Sequence, residues 1–264
     1  MRRTFHLAVG QSPADLATPR DRLGWLRHIL PDVAAKKSDL LLLPELFATG
    51  YNIGDQIAAR AEFADGPTAK VIAELAKLFG VAIHYGFAEQ DGTNVYNAAQ
   101  CFGPDGAILG RHRKLAIPPG FEADHFSRGL GCTLFTYLDL RIATLICYDA
   151  EFPETARHVA SMGAELILVP TALGDQWGWV SHTMIPTRAY ENGVFLAYSN
   201  SAGTENGMRF LGQSFVAAPN GQELARAGDL SGVIYAQIEP DLVATAQRRL
   251  PYLQDAKKLM ASIN

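Results

Sequence analysis

The chain has 264 residues, is 48% hydrophobic and carries a formal net charge of −4, so it can bury a large core without a metal or disulfide framework. A sequence pI near 6.0 and the lack of any Lys/Arg run with interleaved aromatics exclude the basic field a nucleic-acid partner needs, which favours a small-molecule substrate. Three cysteines, Cys101, Cys132 and Cys147, form neither a CxxC pair nor an even set, so a reducing, cytoplasmic compartment is expected and thiolate metal binding is not.

Met1-Arg2-Arg3 and the apolar residues 5–9 imitate a secretory leader, but the run is short and Gln11 ends it, so it reads as the first strand. No apolar stretch approaches the ~18 residues that cross a bilayer, and no membrane association is expected. Leu23, Leu26, Leu30 and Val33 form a helical stripe, kinked at Pro31, and residues 39–43 suit a buried strand. Gly66-Pro67 opens a second helix through Val71, Leu75 and Leu78. Gly80 closes it, and residues 81–87 form the next strand. Gly103-Pro104-Asp105-Gly106 marks a tight reversal between antiparallel strands, which makes the sheet mixed. The alternation then repeats: strand 141–147, helix 153–163, strand 165–169, helix 180–192 and strand 194–200. A hairpin over 210–227 turns at Pro219-Asn220-Gly221. The tail from Pro240 has mixed charge and no strong period, and is expected to wrap or to pair with a neighbouring subunit. With no linker, low-complexity segment or short repeat, one domain over 1–264 is expected. Helices on both faces of two similar sheets give an α/β fold, a four-layer αββα sandwich.

Reactive groups in such architectures gather where strands end, and three places here carry one after an apolar run. Glu45 follows Leu40-Leu41-Leu42-Leu43-Pro44, where partial desolvation raises a carboxyl towards the range of a useful base, although a glutamate at a helix start is the commoner explanation. Cys147 follows Ile142-Ala143-Thr144-Leu145-Ile146 at a sharp strand-to-helix elbow, a geometry that exposes a nucleophile beside backbone N–H groups; most such cysteines are small core residues. Lys114 ends Arg111-His112-Arg113-Lys114, ordinarily a solvated surface cluster. Yet an apolar, rigid loop follows it, Leu115-Ala116-Ile117-Pro118-Pro119-Gly120-Phe121, which can fold over a pocket and turn the ammonium inward.

Together these contexts resemble the nitrilase superfamily over nearly the whole chain. The resemblance is carried by Leu43-Pro44-Glu45 with Gly50-Tyr51, by Arg113-Lys114, by Cys147-Tyr148-Asp149 with Phe152-Pro153-Glu154, and by residues 165–170. It implies a Glu-Lys-Cys triad of Glu45 as general base, Lys114 stabilising the intermediate and Cys147 as nucleophile, with no cofactor and no metal. Glu122 is the positional match for the second glutamate that the family often has. Cys147-Tyr148-Asp149 looks like the amidase branches rather than the Cys-Trp-Glu of true nitrilases. Thr49 to Gly54, Tyr148 to Glu154 and Pro251-Tyr252-Leu253 look most like bacterial 5-aminopentanamidase-type aliphatic amidases. Leu115-Ala116 and Pro118-Pro119-Gly120 depart from that pattern.

Tyr51, Tyr148, Trp177 and Trp179 are expected to bind substrate, while Asp149 and Glu151 are expected to orient the elbow. Relatives usually associate as dimers or larger assemblies, so a homo-oligomer with residues 152–162 and the tail at its interface is expected. Hydrolysis of a small aliphatic amide through a Cys147 thioester is the reading preferred. An N-carbamoyl hydrolase, a nitrilase, an acyltransferase, a catalytically silent binder and a thiol redox protein are the alternatives.

Overall fold

A computed structural model describes residues 2–263 of the chain. The odd–even alternation of its apolar strands decides the architecture, because a strand sends successive side chains to opposite faces. In β1 (Phe5–Gln11) and β2 (Leu40–Leu42), Phe5, Leu7, Val9, Leu40 and Leu42 point one way and Ala8 and Leu41 the other. In β7 (Leu140–Thr144) and β8 (Leu166–Pro170), Leu140, Ile142, Leu166 and Leu168 face the first set, while Ala143, Ile167 and Val169 face away. The two inner sets form a single buried core between the sheets.

The outward sets are covered by helices. α1 (Pro19–Ala35) and α3 (Pro67–Phe79) pack Leu23, Leu26, Leu30, Ile72 and Leu75 on the first sheet. α5 (Pro153–Ser161) and α6 (Ile185–Asn192) pack Ala156, Val159, Ile185 and Ala189 on the second. This is the four-layer αββα sandwich that the alternation predicts.

Among the described residues, each of the two sheets of the sandwich has six strands. β1, β2 and β3 (Ala82–Asp91) run parallel, followed by antiparallel β4 (Asn94–Phe102) and β5 (Ile108–Arg113) around the Gly103–Gly106 turn. β7, β8 and β9 (Phe195–Ser199) are likewise parallel. β6 (Thr133–Tyr137) and the hairpin of β12 (Phe215–Ala217) and β13 (Glu223–Arg226) extend that sheet antiparallel. β14 (Gly232–Ile238) returns to pair with β1 and closes the first sheet. The loops leaving the parallel strands at their C-terminal ends hold Glu45 and Cys147.

α1 begins at a capping box of Thr18 and Asp21 and continues through Pro31 to Ala35. Three expectations change in detail. The strand before Cys147 stops at Thr144, and Cys147–Glu151 form a 3-10 helix. The segment 210–227 is divided, with Phe210 in β11 (Met208–Leu211), which pairs with β10 (Ala202–Glu205). The tail forms two helices, α7 (Asp241–Arg249) and α8 (Tyr252–Ile263), and in α8 Leu259, Met260 and Ile263 are exposed. Among the described residues no helix is long and apolar enough to cross a membrane.

Candidate active site

Glu45 lies three residues beyond β2, in a loop whose backbone crosses β3. The crossing depends on Gly86, because a Cβ there would lie 2.4 Å from the Leu46 nitrogen and 2.7 Å from the Pro44 oxygen. No other residue allows that approach. The carboxylate it fixes is buried.

Lys114 follows β5, and strand alternation resolves the basic cluster. Arg111 and Arg113 turn outward to Glu89, while His112 and Lys114 turn into the sandwich. The Lys114 backbone donates to Asn97 O at 2.8 Å and accepts from Gly129 N at 2.7 Å. Gly129 approaches so closely that a Cβ would lie 2.3 Å from Arg113 O. The side chain is 0% exposed.

Its ammonium donates to Glu45 Oε1 and to both oxygens of Glu122, each at 2.7 Å. Asn97 Nδ2 donates to Glu45 Oε1 at 2.6 Å and to Glu122 Oε2 at 3.2 Å, and the Tyr51 hydroxyl donates to Glu122 Oε1 at 2.8 Å. Glu45 Oε2 is buried and has no hydrogen-bond partner among the described residues.

Cys147 begins the 3-10 helix with φ 46°, a left-handed conformation that strains any residue with a Cβ. A buried Asp149 fastens this elbow to the Lys114 loop. Its Oδ2 accepts from Ile146 N at 3.0 Å and pairs with His112 Nε2 at 3.2 Å, and its Oδ1 accepts from Leu115 N at 2.9 Å and Ala116 N at 2.7 Å. Behind it, His84 Nε2 and Thr144 Oγ1 link the two sheets at 2.9 Å.

The electrostatics follow from two carboxylates sharing one cation in a buried site. Burial pushes Glu45 up to about 7; Lys114 pulls it down and Glu122 pushes it up. Burial pulls Lys114 down, but Glu45 and Glu122 outweigh it and hold the ammonium above its ordinary value. Burial pushes the Cys147 thiol up, Glu45 and Glu122 add to this, and Lys114 and the Thr171 hydroxyl oppose it. Burial and the same carboxylates keep the Tyr51 phenol neutral, as a donor to Glu122. These surroundings favour the Cys147 thiol over the thiolate.

A cavity of about 440 Å³ opens onto the thiol. Tyr51, Glu122, Cys147, Tyr148 and Glu151 form its polar wall, and Pro118, Pro119, Leu173, Val180, Met208 and Trp177 its apolar one. Trp177 is 57% exposed; Trp179 is 65% exposed and lies outside the lining. Asp149 holds the elbow as expected, whereas Glu151 faces the cavity. Asn97 had no signal beyond being one polar residue of a strand. Glu205, which accepts from the backbone N–H groups of Tyr51 and Asn52 at 3.0 and 2.6 Å, gave none either. Among the described residues no group of three or more His, Cys, Asp or Glu side chains is arranged to hold a metal ion.

The sequence model of the carbon-nitrogen hydrolases matches residues 7–248. The chain belongs to the carbon-nitrogen hydrolase family. This hydrolase is 40% identical over 261 residues to "Hydrolase in pqqF 5'region" of Pseudomonas protegens, covering 97% of this chain and 90% of that one. It is 34% identical to an (R)-stereoselective amidase of Pseudomonas sp., covering 86% and 82%. The solved amidase from Nesterenkonia sp. AN1, in a Glu-to-Gln variant with acrylamide added to its active-site cysteine, superposes with a TM-score of 0.83 at 28% identity, over 98% of each chain. The hydrolase is thus an enzyme of the nitrilase superfamily with amidase relatives and the fold of that amidase.

Proposed function

We propose that this carbon-nitrogen hydrolase converts a small aliphatic amide to its carboxylic acid and ammonia through a thioester on Cys147. One observation carries the reading: a strained, buried cysteine shares its site with a buried carboxylate that has one oxygen tied to Lys114 and Asn97 and, among the described residues, no partner for the other. Glu45 Oε2 takes the thiol proton as Cys147 Sγ attacks the amide carbon. The developing oxyanion is met by the Lys114 charge and the Tyr148 backbone N–H. Collapse breaks the carbon–nitrogen bond, and Glu45 gives its proton to the departing nitrogen, which leaves as ammonia. Water then attacks the thioester, Glu45 takes its proton, and the carboxylic acid leaves as the proton returns to sulfur. Glu122, held by Tyr51 and Asn97, keeps Lys114 in place.

Ammonia release from a panel of aliphatic amides, 5-aminopentanamide included, tests this reading, with reaction samples quenched in acid for intact mass. The expected result is ammonia without carbon dioxide, little turnover of nitriles, and a protein species heavier by the acyl group on Cys147. Carbon dioxide from carbamoyl compounds, or turnover with no acylated cysteine, would overturn it.

The raised carboxyl sets a pH profile. Glu45 acts as a base only when ionised, so kcat/KM should fall about tenfold per pH unit below about 7, well above the ordinary 4.5. The raised Cys147 and Lys114 values remove any alkaline limb below pH 9. A rate constant that is flat from pH 5 to 8 would exclude Glu45 as a base in this environment.

A further inference from the structure

Among the residues lining the cavity, only Glu122 and Glu151 carry a formal charge, and both are acidic. Their situations differ. Glu122 has both oxygens committed to Lys114 and accepts from Tyr51 and Asn97 as well. The Glu151 carboxylate has neither a hydrogen bond nor an ion pair among the described residues; only its backbone oxygen is engaged, by Arg188. It is partly buried, and burial pushes its carboxyl up while Lys114 and Arg188 pull it down. A half-desolvated carboxylate without a partner is costly, and a cation arriving in the cavity relieves that cost.

The placement fixes where such a cation would sit. Cys147 and Glu151 are the first and last residues of the 3-10 helix. Four steps at about 2.0 Å each put their Cα atoms about 8 Å apart along its axis, the span of a short aliphatic chain. Pro118, Pro119 and Leu173 supply apolar surface for that chain. We propose that Glu151 is a specificity residue that receives a positive group at the end of the substrate remote from the amide, so that short amino amides are preferred and amides ending in a carboxylate are rejected. The proposal rests on the amidase reading for its substrate class.

Three probes of matched length separate the charges: 5-aminopentanamide is cationic, hexanamide is its neutral isostere and 4-carboxybutanamide is anionic. Calorimetric binding to Cys147→Ala protein reads the preference without turnover. The expected result is at least about tenfold tighter binding of 5-aminopentanamide than of hexanamide, as suits one charge-assisted contact, with no binding of the carboxylate. Glu151→Gln in the same background should bring the first two within about twofold, and Glu151→Asp should keep part of the preference. A merely structural role would weaken all probes alike. Equal binding of the cationic and neutral amides, or no binding of the cationic one, overturns the assignment. Ammonia release by the intact enzyme is judged separately. Selective binding without turnover would remove the amidase reading and leave Glu151 as the cation site; turnover without selection would do the reverse.

Discussion

Replacing Lys114 with alanine is expected to lower the free energy of unfolding at neutral pH by about 3–5 kcal/mol and amide turnover by at least about 10³-fold. Both effects have one origin. The ammonium is fully buried and is the cation on which Glu45 and Glu122 converge, each at 2.7 Å. Without it, two buried carboxylates face each other, and burial with mutual repulsion drives one of them to hold a proton. The base is then neutral when the thiol needs it, and the oxyanion has lost its nearest positive charge. Lys114→Met refills the volume, so any defect it shares with alanine belongs to the lost charge. The sign of the pH dependence is a further check. The unfolded chain is the same for both proteins and wild-type Glu45 already sits at about 7, so a carboxyl raised further in the variant makes its deficit grow as pH rises above about 7 and shrink in acid. Urea unfolding at two pH values, beside an ammonia assay, measures all of this. Wild-type stability and rate in Lys114→Ala would show that the cation neither holds the site together nor takes part.

The legibility of the site depended on where period and chemistry coincide. Short, largely apolar runs such as 5–9 and 39–43 announce strands buried on both faces of a sheet, and these position the sandwich. Glu45 and Cys147 stand out because a reactive group follows an apolar run at a strand end. Lys114 was legible through the apolar loop after it, and the alternation of Arg111, His112, Arg113 and Lys114 accounts for its inward turn. Asn97 was not, since one asparagine in a strand looks the same whether it meets water or two carboxylates. The tail helices differ from the expectation of no strong period: α8 carries Tyr252, Ala256, Leu259, Met260 and Ile263 at helical spacing but buries none of them, and α7 buries Val243 alone. The single hairpin expected over 210–227 is divided between two sheets. Gly212 and Gln213 both take positive φ, 67° and 55°, which breaks the strand between Leu211 and Phe215. A sequence shows a glycine there but not that its neighbour shares the strain.

Asp149→Ala is expected to be nearly as damaging as loss of Lys114, although Asp149 is not among the cavity-lining residues and has no part in the proposed proton transfers. One buried carboxylate receives the backbone N–H of Ile146 at the Cys147 elbow and those of Leu115 and Ala116 after the lysine, so it ties two chain segments that lie far apart in sequence. Alanine leaves the buried Ile146 donor and the partly buried Leu115 and Ala116 donors unsatisfied and His112 without its partner, at about 1–3 kcal/mol for each buried group, and partial relaxation with access to water brings the sum to roughly 3–5 kcal/mol. The left-handed backbone at Cys147 persists only while its surroundings enforce it. Released, the thiol drifts from Glu45, and a displacement on the order of 1 Å costs about 10²-fold in rate. Asp149→Asn separates the two ties. Its amide oxygen can still receive Leu115 and Ala116, but its NH2 group faces the Ile146 N–H, so the lysine loop stays and the elbow loosens. Activity should therefore fall further than stability in the asparagine variant, with kcat reduced more than KM is raised, and the rate of Cys147 alkylation by iodoacetamide should depart from wild type. Equal losses of rate and stability in both variants would mean that Asp149 supports the fold alone, and that the elbow is held by the sheet beneath it.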